Sequence, residues 1–484
     1  MSGPNVAVVV LDTARGRDTV PAAASPMPRL ASLATAGTEF TNAFSPAPWT
    51  LPAHASLFTG TYPSRHGAHG GHTVLDGSLP TLAEAFRDAG YETVGVSNNT
   101  WITEEFGFDR GFDTLRRGWQ YVQSDVDLGE VVRAEHPRAK LRALRARLFD
   151  GNPFVNAVNV LYNELADDEG AERTTSWVEG WLRGRDPGDA PFFLFLNYIE
   201  PHVEYRPPRE FAEPYLPPGA SYEEATAIRQ DPRAYDVGDY SIDEREFDML
   251  RALYLGELAA LDEHLGRLRA ALAAAGEWED TVFVVLGDHG ENVGDHGLFG
   301  HQYDLHDTLL HVPFVVHGGG FGAARRTELV QTLDLVPTLL DAADVDAPRL
   351  RAEAQGRSLH PSADDPPRSA VYAEYLGPQP SPEALEARFG SIPDRVRAFD
   401  RTLRAVRTRE EKYIRGSDGT EWLYRVDGDP EERTNLADDE PERTRALAAR
   451  LDDWVGSFEH ADAETGDVSM SAGTRARLTD LGYL

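Results

Sequence analysis

Side chains that can bind or cleave an oxyanion ester occur at four widely separated places in this chain of 484 residues. They are Asp12, Thr50, His202 and the pair Asp288 and His289. The segments that carry them are 6–12, 49–60, 192–202 and 282–290. A carboxylate can bind a cation, a hydroxyl can attack an ester, and a histidine can move a proton. This combination predicts an enzyme.

All of these segments except the one around Thr50 are predicted to be buried strands of one sheet. Each is a run of apolar residues bounded by glycine or charge, which is typical of parallel strands covered on both faces. Such sheets place their chemistry at the carboxyl ends of the strands. We therefore expect Asp12, His202, Asp288 and His289 to converge at one edge.

Thr50 is predicted to open a short helix that has Pro52 near its start. As the N-cap it would lie beside free N–H groups and the positive end of the helix dipole, which favour an anion. The hydroxyl could then serve as a nucleophile or only as a cap, and the two roles are compatible.

The whole chain predicts an α/β fold in two parts. Residues 1–355 are expected to form a three-layer sandwich with a mostly parallel central sheet, and residues 356–484 a small α+β subdomain with an antiparallel sheet. Residues 120–245 are interpreted as insertions that flank the pocket: a helical part with Leu141, Leu144 and Leu148 on one face, then a loop from residue 203. Further predicted helices lie at 28–36, 51–59, 79–89, 242–275, 327–343 and 440–457. Further predicted strands lie at 38–44, 91–96, 311–317, 370–375, 402–408, 411–416 and 421–426.

The charge of the chain is strongly acidic. Asp and Glu number 80 against 47 Lys and Arg, a formal net charge of −33, and only Lys140 and Lys412 are lysines. Such a surface suits a cytosol of molar salt, where the Debye length is about 3 Å and self-repulsion is screened. We expect a halophilic protein, with an ordinary acidic enzyme from a high-GC genome as the alternative. The charge disfavours nucleic acid and anionic membranes as partners, but not a small anionic ester, because a metal ion can set the local field.

The sequence also predicts where the protein works. No segment reaches the roughly 18 apolar residues of a membrane span. The first residues lead directly into the strand that ends in Asp12, so they do not form a cleavable signal. The chain has no cysteine and hence no disulfide. We expect a cytoplasmic protein.

Short motifs in a consistent order carry a family resemblance over almost the whole chain. They are residues 9–15 (VVLDTAR), 57–60 (LFTG), 62–67 (YPSRHG), 108–112 (FDRGF), 200–202 (EPH), 287–290 (GDHG), 300–301 (GH), 312–313 (VP) and 481–484 (LGYL). Each is weak alone, but the ordered series resembles the sulfatase family of the alkaline phosphatase superfamily. The resemblance implies an alkaline phosphatase-like fold and cleavage of sulfate or phosphate esters.

The chain departs from the family pattern at the nucleophile. The family usually has Cys or Ser there, which is oxidised to formylglycine, followed two and four residues later by Pro and Arg. Here Thr50 takes that position, followed by Pro52 and by His54 in place of the arginine. Threonine cannot yield the aldehyde, so we expect no formylglycine. The position is similar to that of the phosphatase, nucleotide pyrophosphatase and phosphoglycerol transferase branches, in which the hydroxyl attacks directly.

The resemblance also implies a metal site. The ligand set Asp12, Thr50, Asp288 and His289 is similar to that of the single-metal transferase branch. Thr13 stands where most sulfatases have a second acid, which favours one Mn²⁺ or Mg²⁺, or a Ca²⁺ with more water. A second ion through Glu200 is the less favoured reading.

The remaining candidates would contact the ester. His202 and His301 correspond to family positions that touch the anion or protonate the leaving group, and His301 stands where many sulfatases have lysine. His54 could bind an ester oxygen or simply pack between helix and sheet. Arg15, three residues after Asp12, is a further candidate for binding the substrate.

These observations predict a metal-dependent hydrolase in which Thr50 attacks a sulfate or phosphate ester, with phosphate mono- or diesters favoured. The substrate would be a small anionic ester or a sulfated or phosphorylated glycan. Two alternatives remain: a transferase that passes a phospho or glycerophospho group to a glycan, and a catalytically silent protein that only binds metal. The second alternative requires the loss of a metal ligand or of the nucleophile, but the sequence has a suitable residue at all four positions, Asp12, Thr50, Asp288 and His289.

Overall fold

The structure is a computed structural model that describes residues 3–20, 25–120, 170–186 and 188–461, with residues 470, 474, 477 and 478. The predicted helical face of Leu141, Leu144 and Leu148 lies outside these residues.

Helices and strands alternate through the first two thirds of the chain. The helices are α1 Gly16–Thr19, α2 Pro28–Ala36, α3 Thr50–Thr59, α4 Pro63–His66, α5 Leu82–Asp88, α6 Ala171–Arg183, α7 Arg209–Ala212, α8 Tyr222–Thr226, α9 Pro232–Val237, α10 Glu244–Ala274, α11 Asp307–Leu310, α12 Leu335–Ala342, α13 Pro348–Glu353, α14 Pro382–Phe389, α15 Asp394–Arg397 and α16 Pro441–Val455. Short 3₁₀ helices lie at Glu104–Phe106, Glu213–Tyr215, Trp278–Asp280, Asp295–Gly297 and Thr332–Asp334. In the described part of the chain, no helix is long and apolar enough to cross a membrane.

The strands form one large sheet and three small ones. They are β1 Asn5–Leu11, β2 Thr38–Phe40, β3 Ala43–Phe44, β4 Glu92–Ser97, β5 Thr114–Arg117, β6 Phe192–Tyr198, β7 Thr281–Gly287, β8 Asn292–Val293, β9 Phe299–Gly300, β10 His311–Val312, β11 Phe314–His317, β12 Ala324–Arg326, β13 Val330–Gln331, β14 Val371–Tyr375, β15 Leu403–Arg407, β16 Lys412–Gly416 and β17 Glu421–Tyr424. Among the described residues, the large sheet has the order β12-β2-β11-β7-β1-β6-β4-β5. Its central strands β7, β1, β6, β4 and β5 run parallel, and β11 runs antiparallel to β7.

Strand β1 lies at the centre of this sheet and is covered on both faces. Its even-numbered residues 6–10 pack in one core cluster with α3, α5 and α12. Its odd-numbered residues 7–11 pack in a second cluster with α2, α6 and α10. The unbroken apolar run therefore buries both faces of one strand, and the predicted three-layer sandwich with a mostly parallel sheet is confirmed.

The small C-terminal sheet has the predicted antiparallel pairing, in the order β14-β15-β16-β17. One face packs under α16 through residues such as Val406, Leu423 and Leu447. The other face, with Val371 and Leu403, belongs to the same core cluster as β1. Because the two parts share this core, the division at residue 355 stays a prediction.

Four predicted elements differ in detail from the structure. The strand predicted over 38–44 is divided into β2 and β3, which join different sheets. The helix predicted over 327–343 begins only at Leu335, because Val330 and Gln331 pair with β3 and the Asp334 carboxylate accepts the Gln331 amide. The strand predicted over 311–317 is divided at Pro313, which has no N–H to donate, and its two pieces join different sheets. The loop predicted over 203–245 contains the helices α7, α8 and α9.

Candidate functional site

The register of the central strands brings Asp12 and Asp288 together. Leu11 of β1 pairs with Gly287 of β7, and each strand is followed directly by its aspartate. Because the strands are parallel and adjacent, both carboxylates emerge at the same edge of the sheet. The structure therefore places these two predicted ligands side by side.

His289 completes a group of three candidate ligands with these aspartates. The three side chains are fully buried and each offers one atom within 4.8 Å of the others. His289 Nε2 lies 3.3 Å from Asp288 Oδ2 and 3.8 Å from Asp12 Oδ1. His289 Nδ1 donates to the Gly290 carbonyl at 2.9 Å, which leaves the Nε2 lone pair directed at the two carboxylates.

The local backbone holds this geometry in place. Gly290 passes so close to the Thr308 carbonyl oxygen that a Cβ would come within 2.0 Å of it, so only glycine fits there. Thr13 has a positive φ of 61°, an unfavourable conformation for threonine. Its amide nitrogen thereby lies 3.2 Å from Asp288 Oδ1, to which it donates.

The electrostatics of the three residues suit a cation. Burial, and then the charge of Asp288, raises the pKa of Asp12 well above its ordinary value. Burial raises the pKa of Asp288 to about 8 and lowers that of His289. In the described part of the chain, Asp12 Oδ1 and Asp288 Oδ2 are buried and accept no hydrogen bond. Two buried carboxylates with unpaired, facing oxygens are costly unless a cation lies between them, so the residues fit a divalent metal ion.

Thr50 presents its hydroxyl to the same group. Its Oγ1 lies 3.3 Å from His289 Nε2, and the residue is fully buried. The N-cap of α3 is Trp49 and not the predicted Thr50, and the Trp49 side chain makes no capping hydrogen bond. Thr50 is the first helical residue, and its hydroxyl lies beside the candidate metal ligand His289.

Two amides that the sequence reading missed support the site. Asn99 Nδ2 donates to Asp12 Oδ2 at 2.7 Å and to Thr50 Oγ1 at 3.2 Å. Asn197 Nδ2 donates to Asp12 Oδ2 at 3.3 Å. The side-chain Oδ1 of Asn197 accepts a hydrogen bond from the backbone N–H of Asn99 at 3.1 Å. Asn99 lies two residues after the end of β4, and the order of the strands in the sheet is what brings it to Asp12 and Thr50.

His54 lies one helical turn after Thr50, as predicted, but inside the helix–sheet layer. Its Nδ1 donates to the Thr50 carbonyl at 3.0 Å and lies 3.4 Å from Asp288 Oδ2. Its ring meets that of Phe195 edge to face at 6.0 Å. Burial lowers the pKa of His54 to about 3, which keeps it neutral. This placement links the start of α3 to Asp288; contact with the ester stays a prediction.

His202 and His301 lie together beside the metal ligands. The ring of His301 is 4.7 Å from that of His289 and 4.9 Å from that of His202. Its Nδ1 is 2.9 Å from Oε1 of the buried residue Glu291. Burial lowers the pKa of His202 to about 3 and that of His301 well below its ordinary value, and raises that of Glu291 to about 7.

Arg15 is buried near the site but is engaged with acidic partners. Its guanidinium pairs with Asp18, donates to Asp295 at 3.0 Å and lies over the Tyr254 ring. The arginine would have to exchange these partners to bind an ester, so its role in substrate binding stays a prediction. Glu200 accepts the Ala171 amide at 3.0 Å and does not belong to the metal-ligand group among the described residues.

Comparisons with known proteins agree with this fold. A family model described as "Sulfatase" matches residues 4–345. The chain is 25% identical to an arylsulfatase of Clostridium perfringens over 91% of this chain and 92% of the relative. It is 26% identical to a choline-sulfatase of Rhizobium meliloti over 90% of this chain and 82% of the relative.

Solved structures extend the likeness to the fold. A phosphonate monoester hydrolase of Agrobacterium radiobacter superimposes with a TM-score of 0.66 at 21% identity, covering 94% of this chain and 95% of that one. A sulfatase acting on 2-O positions of a GAG gives a TM-score of 0.66 at 21% identity, covering 95% of each chain. Because the family model spans most of its length, the chain belongs to the sulfatase family, hydrolases of sulfate or phosphate esters in the alkaline phosphatase superfamily.

Proposed function

We propose that this chain cleaves a phosphate mono- or diester by direct attack of the Thr50 hydroxyl, with one divalent cation held by Asp12, Asp288, His289 and Thr50. The observation that carries the proposal is the position of Thr50 Oγ1, 3.3 Å from His289 Nε2 at the start of α3. Mn²⁺, Mg²⁺ or Ca²⁺ would suit ligands of this kind.

The chemistry divides between the cation and the chain. When bound, a divalent cation supplies positive charge that lowers the pKa of a neighbouring hydroxyl and offsets negative charge on the ester. Thr50 Oγ1 then loses its proton to water and forms a bond to phosphorus while the bond to the leaving oxygen breaks. The Asn99 side-chain amide donates to Oγ1 at 3.2 Å and would stabilise the negative charge that develops on this oxygen. Water finally hydrolyses the phosphothreonine ester and restores Thr50.

The two histidines beside the site would serve the leaving group. His301 or His202 gives a proton to the departing oxygen, which matters most when that oxygen is strongly basic. Burial lowers the pKa of both rings, so the negative charge of the bound ester has to raise the pKa of the donor again before it can carry this proton. The His301 ring lies 4.7 Å from the ring of His289, and the His202 ring lies 4.9 Å from that of His301. Neither ring is part of the group of metal ligands, so each can act on the ester itself.

Sulfate esters are the second candidate class of substrate. The curated relatives are named for sulfate esters, an arylsulfatase and a choline-sulfatase. Against this, residue 50 is a threonine and the chain has no cysteine, so the aldehyde nucleophile of the usual family reaction does not form. Direct attack by an alkoxide, with charge stabilised by cation and donors, suits phosphorus better.

A panel of aryl esters tests the choice. The metal-loaded protein is assayed in molar KCl against para-nitrophenyl phosphate, bis(para-nitrophenyl) phosphate and para-nitrophenyl sulfate, with Mn²⁺, Mg²⁺ and Ca²⁺ in turn. We expect kcat/KM for a phosphate ester to exceed that for the sulfate. A clear preference for the sulfate would assign the chain to sulfate esters, and no turnover on any ester would favour a binding role.

We also propose that folding of this chain depends on salt. The net charge of −33 makes the acidic side chains repel one another unless they are screened. Lysine does not relieve this at the described surface, because Lys412 is buried between Asp307 and Glu432. The melting temperature should therefore rise steeply from low to molar KCl. Sucrose at equal osmolality, which does not screen charge, is the control; equal effects of the two solutes, or a constant melting temperature in KCl, would contradict the proposal.

A further inference from the structure

Glu291 lies three residues after Asp288, and its side chain is fully buried. It is not among the candidate metal ligands of the described residues. Its Oε1 is 2.9 Å from Nδ1 of His301. A buried carboxylate has to be paired with hydrogen-bond donors, and here they include the Val203 backbone and the ring N–H of a proposed catalytic histidine.

The contact follows from the hairpin that joins the two residues. Strands β8 and β9 are antiparallel, with Asn292 opposite Gly300. The next pair outward is therefore Glu291 and His301, which face each other where the hairpin opens. Residues that lie opposite each other in this way keep their distance as long as the hairpin keeps its register.

Hydrogen bonds within the hairpin and from Arg15 stabilise its turn. Asp295, in its connecting turn, accepts the Val293 amide at 2.9 Å and the Arg15 guanidinium at 3.0 Å. The Gly294 amide donates to the Leu298 carbonyl at 3.0 Å. These contacts fix the turn and, through it, the spacing between Glu291 and His301.

A histidine needs such fixing in order to act on a leaving group. Its ring has two nitrogens, and an acceptor on Nδ1 determines which of them carries the proton and which way the ring faces. The rings of His289 and His202, at 4.7 and 4.9 Å, restrict the orientation of His301 further. With the Nδ1–H donated to Glu291, Nε2 is the ring nitrogen that can face the ester, and in the doubly protonated imidazole it carries the proton that passes to the leaving oxygen.

We propose that Glu291 is a positioning residue of this enzyme: by accepting the hydrogen bond of His301 Nδ1, it orients Nε2 towards the leaving oxygen. This rests on the proposed role of His301 in protonating that oxygen. Glu291 itself does not touch the substrate and acts only through the imidazole.

Turnover of a matched pair of substrates tests the proposal in the metal-saturated protein. Phenyl phosphate has a poor leaving group and para-nitrophenyl phosphate a good one, which needs no proton. We expect Glu291→Gln to lower kcat on phenyl phosphate by about 10- to 100-fold, the usual cost of losing a supporting partner, and to leave kcat on para-nitrophenyl phosphate within about threefold. His301→Ala should show the same selective loss. The double variant should be no worse than the worse single one, because both changes remove one unit.

Each outcome separates this inference from the function on which it rests. If His301→Ala shows no selective loss, the proposed role of His301 fails and the inference with it. If His301→Ala shows the loss but Glu291→Gln does not, or if the two losses multiply, Glu291 does not act through His301 and only the inference is overturned. A fall in bound metal in Glu291→Gln would assign Glu291 to the cation site and would also overturn it.

Two further variants control for folding. Glu374→Gln neutralises an equally buried glutamate of β14, which pairs with Arg404, and should produce no selectivity between the two substrates. Should Glu291→Gln fail to fold, Glu291→Asp keeps the charge but withdraws the carboxylate by one methylene. It should give the same selective loss, and wild-type turnover on both substrates would overturn the inference.

Discussion

Thr50→Ala should lower kcat by about a thousandfold or more while the protein still folds and binds metal. Removing the attacking oxygen abolishes the reaction path rather than a part of the binding energy. The other three proposed ligands, Asp12, Asp288 and His289, remain in this variant, because they lie at the ends of β1 and β7 rather than on α3. Turnover of the best ester in the panel, together with metal content by elemental analysis, measures both parts of the prediction.

Two variants on the same helix serve as controls. Thr50→Ser keeps the hydroxyl and should retain part of the activity. Thr59→Ala removes an equally buried threonine at the far end of α3, which donates to the Ala55 carbonyl at 2.7 Å. It should cost about 1 kcal/mol of stability and leave turnover nearly unchanged. If Thr50→Ala turned over like the wild type, water would be the nucleophile and the threonine mechanism would be wrong, with the cation site unaffected by that result.

The parts of the site that could be predicted are those determined by single strands. Asp12 and Asp288 each end an apolar run, and parallel strands that share a sheet bring such residues to one edge. The three-layer fold follows from the same runs, because a strand that is apolar at every position needs cover on both faces. Local pattern was sufficient in these cases.

The parts that could not be predicted depend on contacts between distant segments. Asn99 connects Asp12 to Thr50 only because β4 lies beside β6, an order that no local pattern specifies. The pairing of Glu291 with His301 depends on the register of a two-residue hairpin, which is too short to show a periodicity. The carboxylate partners of Arg15 likewise become visible only when the turn at Asp295 is placed.

The helix predicted over 327–343 shows the same limit within the fold. Its apolar residues have helical spacing, but Asp334 is fully buried and pairs with Arg368 of the segment that precedes β14. Arg368, 34 residues further along the chain, holds the Asp334 side chain in its buried position. The segment before Asp334 extends into a strand and the helix starts only after it. A tertiary ion pair thus overrides local helical periodicity.

Asp288→Ala should abolish metal binding together with activity, whereas the wild type should hold one equivalent of divalent metal per chain. Asp288 contributes one of the two unpaired buried carboxylate oxygens, and without it Asp12 is the one carboxylate left, beside His289 and the Thr50 hydroxyl, to balance the charge of a divalent ion. Elemental analysis after gel filtration measures the content. Asp262→Ala is the matched control: this buried aspartate accepts the Leu30 amide at 2.9 Å, so its loss should lower stability and leave metal content unchanged.

Chelation gives an independent measure of the same site. A metal that binds only the folded chain stabilises it by an amount that grows with its concentration above Kd, about 2.7 kcal/mol at a hundredfold excess. A chelator should therefore lower the melting temperature of the wild type and of Asp262→Ala, and should leave that of Asp288→Ala unchanged. Two equivalents of metal in the wild type would contradict the single-ion proposal and would direct attention to Glu200. Unchanged metal content in Asp288→Ala would mean that the ion binds elsewhere in the protein. The free-energy cost of burying the Asp12 and Asp288 carboxylates side by side would then have to be offset by a different cation.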